Sequence, residues 1–290
     1  MGAADPLTER REARHADIDL LPTLELVRLV NDEDARVAPA VRESAEALAL
    51  AIDEVVARLE GGGRLVYVGA GTSGRVAALD ALECEPTFGL EPGQVVAITA
   101  DDDAREDDAE AGASAVAKAG VGPSDAVVAV SASGCTPYTV GAAQAAVEAG
   151  ALLVAVVSLP NTRLGALADH EIAAETGAEL IAGSTRLKAG TAQKLILNTI
   201  STVSMIRLGR TYGNLMVGVV AGNTKLRARA RRVVGLATDV SEEEIDAALL
   251  AAGGDARVAI VAIVTGLHAD DARRRLEGAG GVVRRALEDA

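Results

Sequence analysis

Aromatic residues are nearly missing from this chain. Of its 290 residues, one is Phe, three are Tyr and none is Trp. Ala, Val and Leu must therefore fill the core that a hydrophobic content of 49% can build. Stacking platforms for single-stranded nucleic acid go with the aromatics. Positive charge is also short: 28 Lys and Arg stand against 42 Asp and Glu, a net charge of −14. That balance argues against nucleic acid and anionic membrane as partners, and a phosphate ligand would have to be met by local donors. The two cysteines, Cys84 and Cys135, stand in no C-x-x-C pair and make no disulfide framework, which fits a reducing compartment. The longest apolar runs, near 125–130 and 152–158, are far shorter than the ~20 residues of a membrane span. The N-terminal MGAADPLTERREARHAD lacks the apolar core of a secretory signal. A cytoplasmic protein is expected.

What is present is organised around Leu65–Gly89. A buried-strand pattern, Leu65–Val68, runs into Gly69-Ala70-Gly71-Thr72-Ser73-Gly74, and a helix pattern follows with Val76, Leu79 and Leu82 on one face. Strand, glycine-rich turn and helix start make an anion site, because glycines admit close approach and the helix start offers unpaired N–H groups. Three readings compete. Gly69, Gly71 and Gly74 match a dinucleotide fingerprint, and Ala100-Asp101-Asp102-Asp103 after the second strand supplies an acid for it. Thr72 and Ser73 suit a compact phosphate monoester better than a pyrophosphate. The third reading is a tight turn without ligand. No Gly-Lys-Ser/Thr is present, which disfavours a Walker-type loop.

Strand-like runs at 64–68, 94–99, 125–131 and 152–158, and a weaker one at 171–175, alternate with Ala-rich helical stretches at 75–83, 106–119 and 137–150. The α/β class follows: a three-layer αβα sandwich on a parallel sheet, with ligands bound outside the carboxyl ends of the strands. Before it, a short amphipathic helix from Leu24 ends at the acidic 32–34 cluster, read as a solvated turn or cap, and one long helix spans Val37–Leu59. After it, a strongly apolar helix spans 191–209. A basic stretch, Lys225–Arg232, then leads into short helices, one starting at the capped Ser241-Glu242-Glu243-Glu244. The expected organisation is an N-terminal arm (1–37), an α/β domain (38–222) and a small all-helical C-terminal module (223–290).

The third strand ends in Ser131-Ala132-Ser133-Gly134-Cys135-Thr136-Pro137, repeating the first loop's chemistry. Ser133 and Thr136 have plain readings as helix caps. Hydroxyls matched to a second such loop point instead to a phosphate cradle. Cys135 has no base partner at fixed spacing and reads as an ordinary thiol. Further on, Ser184-Thr185-Arg186-Leu187-Lys188 brings two cations, which an acidic protein needs for an anionic ligand.

These blocks carry a resemblance. GAGTSGR and SASGCTP resemble the phosphate loops of sugar isomerase (SIS) domains. Together with VNDED (30–34), LDALECEPTFG (79–89), GSTRLKAGTAQKLILN (183–198) and GNLMV (213–217), they resemble the bacterial N-acetylmuramic acid 6-phosphate etherases, distant relatives of the vertebrate glucokinase regulatory protein. The resemblance covers the chain from about Asp17 to Lys225. It implies cleavage of a D-lactyl ether by elimination and water addition, with no metal and no organic cofactor. It makes Glu83, in Leu82-Glu83-Cys84-Glu85-Pro86-Thr87, the catalytic acid and Glu106 the second catalytic carboxylate, with Asp107 and Glu110 as alternatives. It makes Gly71, Thr72, Ser73, Ser131, Ser133, Thr136 and Ser184 the substrate grip; Arg186 and Lys188, the two cations of that stretch, are candidates for the lactyl carboxylate. Two departures stand out: Glu85 replaces a family proline, and Gly218 stands where the family has Asp. A helix from Arg75 to Glu83 would hold its ends roughly 12–13 Å apart. One sugar phosphate hardly reaches both: either the glutamate of one chain faces the phosphate loops of another, which gives the expected homodimer with a shared site, or the second loop carries most of the phosphate. The alternative function is a sugar-phosphate sensor that binds without turnover.

Overall fold

A computed structural model describes residues 10–100, 102–218 and 224–288. The expected boundary at 222/223, Asp101 and the first nine residues of the arm lie outside the described residues. Contacts group the chain into two units: Met1–Ala81 with Gly93–Ser201, and Leu82–Pro92 with Thr202–Ala290.

In the first unit, β1 (Leu65–Gly69), β2 (Val95–Thr99), β3 (Ala126–Val130), β4 (Leu152–Val157) and β5 (His170–Ala173) form one parallel sheet in the order β2-β1-β3-β4-β5. All four pairings are parallel, with Tyr67 opposite Ala97 on one side and Val128 on the other. β1, β3 and β4 are wholly buried, so they read as unbroken apolar runs. Alternate residues serve opposite layers. Val66, Val68, Val127, Ala129, Leu153 and Ala155 pack against α5 (Ala109–Lys118) and α6 (Pro137–Glu148). On the other face, the Tyr67 hydroxyl meets Asp80 of α4 (Gly71–Phe88) at 2.7 Å, and Ser201 of α7 (Lys188–Arg207) joins the same carboxylate at 3.3 Å.

Earlier elements differ from expectation in instructive ways. α1 (Thr23–Asp34) carries the acidic cluster into its last turn, and Glu33 is buried there rather than solvated. The expected single helix over 37–59 is two, α2 (Val37–Glu43) and α3 (Ala45–Glu60). The break is at Ser44, whose hydroxyl donates to the Ala173 carbonyl at 2.6 Å and so ties the bend to β5. α5 starts later than expected because the Asp108 carboxylate caps it, accepting the Ala111 N–H at 2.9 Å.

The second unit holds α8 (Thr224–Thr238), α9 (Glu242–Ala251), α10 (Ala256–Thr265), α11 (Ala269–Gly278) and α12 (Val283–Glu288) around their own apolar core. The capped start read at Ser241 is a full capping box with Glu244. Gly218 lies against Gly89: a Cβ on either would strike the other's backbone or that of Phe88. An Asp at position 218 would not fit this contact. Among the described residues no single helix is long and apolar enough to cross a membrane.

Candidate active site

The first loop is the opening turn of α4. Gly74 N–H donates to the Ala70 carbonyl at 3.0 Å, so winding starts inside the glycine-rich stretch instead of at Arg75. Two close approaches require glycine. A Cβ on Gly74 would lie 2.7 Å from the Gly69 oxygen, and Gly71 sits at φ +53° with the Glu106 carboxylate against its Cα. Thr72 is half-buried and Ser73 is buried.

The second loop is wired internally. Ser131 Oγ lies 2.9 Å from Thr136 Oγ1 and 3.5 Å from Ser133 Oγ, and it accepts the Gly134 N–H at 3.1 Å. Ser133 Oγ accepts the Cys135 N–H at 3.2 Å. Thr136 occupies the N-cap position of α6, yet its hydroxyl makes no cap bond. The cap reading therefore does not account for it.

Both loops open into one cavity of about 530 Å³, lined by Ala70, Gly71, Thr72, Ser73, Arg75, Glu106, Asp107, Ala132, Ser133, Thr136 and Thr185. Five of these residues carry hydroxyls, and the cavity meets the starts of α4 and α6, whose N–H ends favour an anion. Glu106 is fixed by its backbone, since the Tyr138 N–H donates to its carbonyl at 3.0 Å. The α5–α6 contact beside it is very close: a Cβ on Gly112 would strike the Tyr138 carbonyl, and one on Gly141 the Ala109 carbonyl. A smaller cavity of about 180 Å³ shares Gly71 and Arg75 and reaches Thr99 and Asp102.

A SIS domain model matches residues 31–158. An N-acetylmuramic acid 6-phosphate etherase of Rubrobacter xylanophilus is 56% identical over 97% of this chain and 95% of its own length. One from Streptomyces avermitilis is 50% identical over 98% and 94%. The chain belongs to the N-acetylmuramic acid 6-phosphate etherase family. In fold it is similar to a phosphoheptose isomerase from Francisella tularensis, with a TM-score of 0.52 and 20% identity over 64% of this chain and all of that one. It is also similar to a phosphoheptose isomerase from Neisseria gonorrhoeae, with a TM-score of 0.52 and 19% identity over 63% and 98%.

Against the family's expected residues, the cavity unites Gly71, Thr72, Ser73, Ser133, Thr136 and Glu106. Asp107 also lines it, while Glu110 is exposed in the first turn of α5 and does not. Ser131 is 2% exposed and serves as a strut inside the second loop. Ser184 and Arg186 are not lining residues, but their neighbour Thr185 is. The Gly190 N–H donates to the Thr185 carbonyl at 2.9 Å, which holds that turn against the start of α7. Lys188 is buried, with its ammonium 2.6 Å from Glu33 and its N–H 3.0 Å from Glu179. It is tied into the fold and does not line the cavity. Glu83 is exposed on α4, in the Leu82–Pro92 segment of the second unit. Arg75 and Thr185 were missed in the sequence, although both sit inside blocks that carry the resemblance. Arg75 follows the loop by one residue, and Thr185 lies between two residues that were named.

Glu33 is the hub of a cluster of basic side chains. It faces Lys188, Arg14 at 2.9 Å, Arg36 at 3.6 Å and His15 at 3.8 Å. Burial pushes its pKa up. The Lys188 ammonium, with help from Arg36 and Arg14, outweighs that and holds the carboxyl below its ordinary value.

Proposed function

We propose that this chain cleaves the D-lactyl ether of N-acetylmuramic acid 6-phosphate, giving N-acetylglucosamine 6-phosphate and D-lactate, as a carbon–oxygen lyase of cytoplasmic amino-sugar recycling. The observation that carries the reading is the Glu106 carboxylate lying over Gly71 in a cavity lined by the hydroxyls of both loops. The phosphoryl group sits among Thr72, Ser73, Ser133, Thr136 and Thr185, where hydroxyls and helix starts offset the chain's negative charge. Arg75 borders the same cavity.

An ether oxygen is a poor leaving group, so the reaction needs activation at both ends. In the open-chain sugar the C2 proton is α to the C1 aldehyde, and the lactyl oxygen is β to it. Glu106 takes the C2 proton. Glu83 gives a proton to the departing oxygen as the C3–O bond breaks. Water then adds at C3 of the unsaturated aldehyde, and C2 regains a proton. General acid–base help of this kind contributes typically about 10²–10⁴-fold.

The site is shared between two copies of the chain. Supporting this, Glu83 is exposed on a single chain, and its neighbours on α4 are the exposed apolar Leu79 and Leu82, 48% and 75% accessible. A second copy covering that stretch dries the acid and brings it to the partner's cavity. The experiment is a coupled D-lactate assay on purified protein, run beside Glu83→Ala. Lactate from the wild type and a loss of about 10²-fold or more in the variant are expected. Wild-type turnover by Glu83→Ala would remove Glu83 from the mechanism. Sugar phosphate bound with no lactate released would favour the sensor instead.

A further inference from the structure

The second loop rests on a carboxylate that lines no part of the cavity. Glu171 stands on β5, one of the two edge strands of the sheet. Its two oxygens collect three donors: the Asn161 N–H at 3.1 Å, the Thr162 N–H at 3.3 Å and the Thr162 hydroxyl at 3.2 Å. Thr162 Oγ1 accepts in turn from the Gly165 N–H at 3.0 Å. Asn161 is one of only two non-glycine residues with positive φ among those described, at +58°. A side chain in that conformation persists only where the surroundings hold it. The approach at Gly165 is so close that a Cβ there would strike the Glu171 carboxylate.

This turn reaches the second loop at two points. The Leu164 N–H donates to the Gly134 carbonyl at 2.9 Å. The Thr162 side chain, 8% exposed, fills the space beside Gly134 so fully that a Cβ on that glycine would overlap it. Gly134 is itself at φ +65°, with its N–H on Ser131 Oγ. Ser131 links to Thr136 and Ser133. A shift of Thr162 thus passes through Gly134 to every hydroxyl of the loop.

We propose that Glu171 and Thr162 are positioning residues, which set the second loop in the geometry that grips the ligand's phosphoryl group. Neither touches the ligand. The proposal rests on the reading of this loop as a phosphate grip, and not on the lyase chemistry. In metal sites, outer contacts that orient the ligating groups change affinity by about 10–100-fold when removed, and the contacts of Glu171 and Thr162 orient the hydroxyls in the same way.

The test compares Thr162→Val, Thr162→Ser and Glu171→Gln with wild type. Four quantities are measured: the calorimetric Kd for N-acetylglucosamine 6-phosphate, KM and kcat in the lactate assay, and the melting temperature. Thr162→Val and Glu171→Gln are expected to weaken Kd about tenfold and to raise KM in parallel, with kcat nearly unchanged, because the lost contact binds ground state and transition state alike. Thr162→Ser keeps the hydroxyl and is expected to bind like wild type. A merely structural role would lower melting temperature and apparent kcat while leaving Kd and KM alone, and that result overturns the proposal. If Thr162→Val does not fold, Glu171→Gln, which keeps the side-chain shape, decides by the same criterion. Wild type that binds the sugar phosphate but releases no lactate would sink the lyase reading and leave this one standing. Wild type that does not bind it would overturn this proposal, whereas lactate release alone decides the lyase reading.

Discussion

Glu106 and Glu33 belong to two acidic runs that look alike in the sequence, and the fold uses them oppositely. Glu106 is half-buried at the cavity wall, and its backbone is pinned by Tyr138. Glu106→Gln keeps the shape and removes the proposed base. We expect kcat to fall by about 10²–10⁴-fold with the Kd for the sugar phosphate nearly unchanged, read by single-turnover kinetics and calorimetry. Glu33 is spent on stability. Glu33→Gln leaves the Lys188 ammonium buried without its counter-charge, and such losses cost about 3–5 kcal/mol. Urea unfolding near neutral pH measures it. The pH dependence follows from the direction of the shift. The folded carboxyl titrates below its unfolded value, so its contribution is complete above the unfolded value and is lost as pH falls through the folded one. Wild type and Glu33→Gln should therefore differ most near neutrality and converge in acid. A constant gap at every pH would contradict this account.

At the scale of elements, glycines decide how close helices come to what they serve. Gly141 of α6 lies on the Ala109 backbone, and Gly112 of α5 lies on Tyr138. Gly141→Ala pushes the two helices apart at the point where Tyr138 holds Glu106. It is expected to destabilise by about 1–3 kcal/mol and to lower kcat beyond the loss of folded protein. Thermal melts and kinetics on the same preparation check both. Much of this level was legible in the sequence. Apolar strand runs, the two hydroxyl loops and the Ser241 cap are local signals, and each resolves into the expected element. What was illegible depends on distant partners. The break at Ser44 comes from a carbonyl on β5, the burial of Glu33 from Lys188, and the place of Thr185 from the start of α7. No local pattern encodes those partners. Gly71 and Gly74 were readable as turn glycines, but the carboxylate against Gly71 comes from beyond β2.

For the whole molecule, the two units raise the question of where Glu83 acts. Thr72 and Ser73 belong to the first unit and Glu83 to the second. A site shared between two copies predicts a dimer by light scattering at assay concentrations. It also predicts complementation. Ser73→Ala with Ser133→Ala removes the proposed grip and spares the proposed acid, while Glu83→Ala does the reverse. Mixing the two inactive proteins under subunit exchange should restore about a quarter of wild-type activity, since roughly half the dimers are mixed and each rebuilds one of two sites. No recovery from subunits shown to exchange would place each site within one chain.

The central claim, elimination across C2 and C3 of a phosphate-anchored sugar, is tested most directly by turnover in water enriched in oxygen-18. The account predicts D-lactate without the label and N-acetylglucosamine 6-phosphate carrying it at C3. Label in the lactate, or no lactate at all, would contradict it.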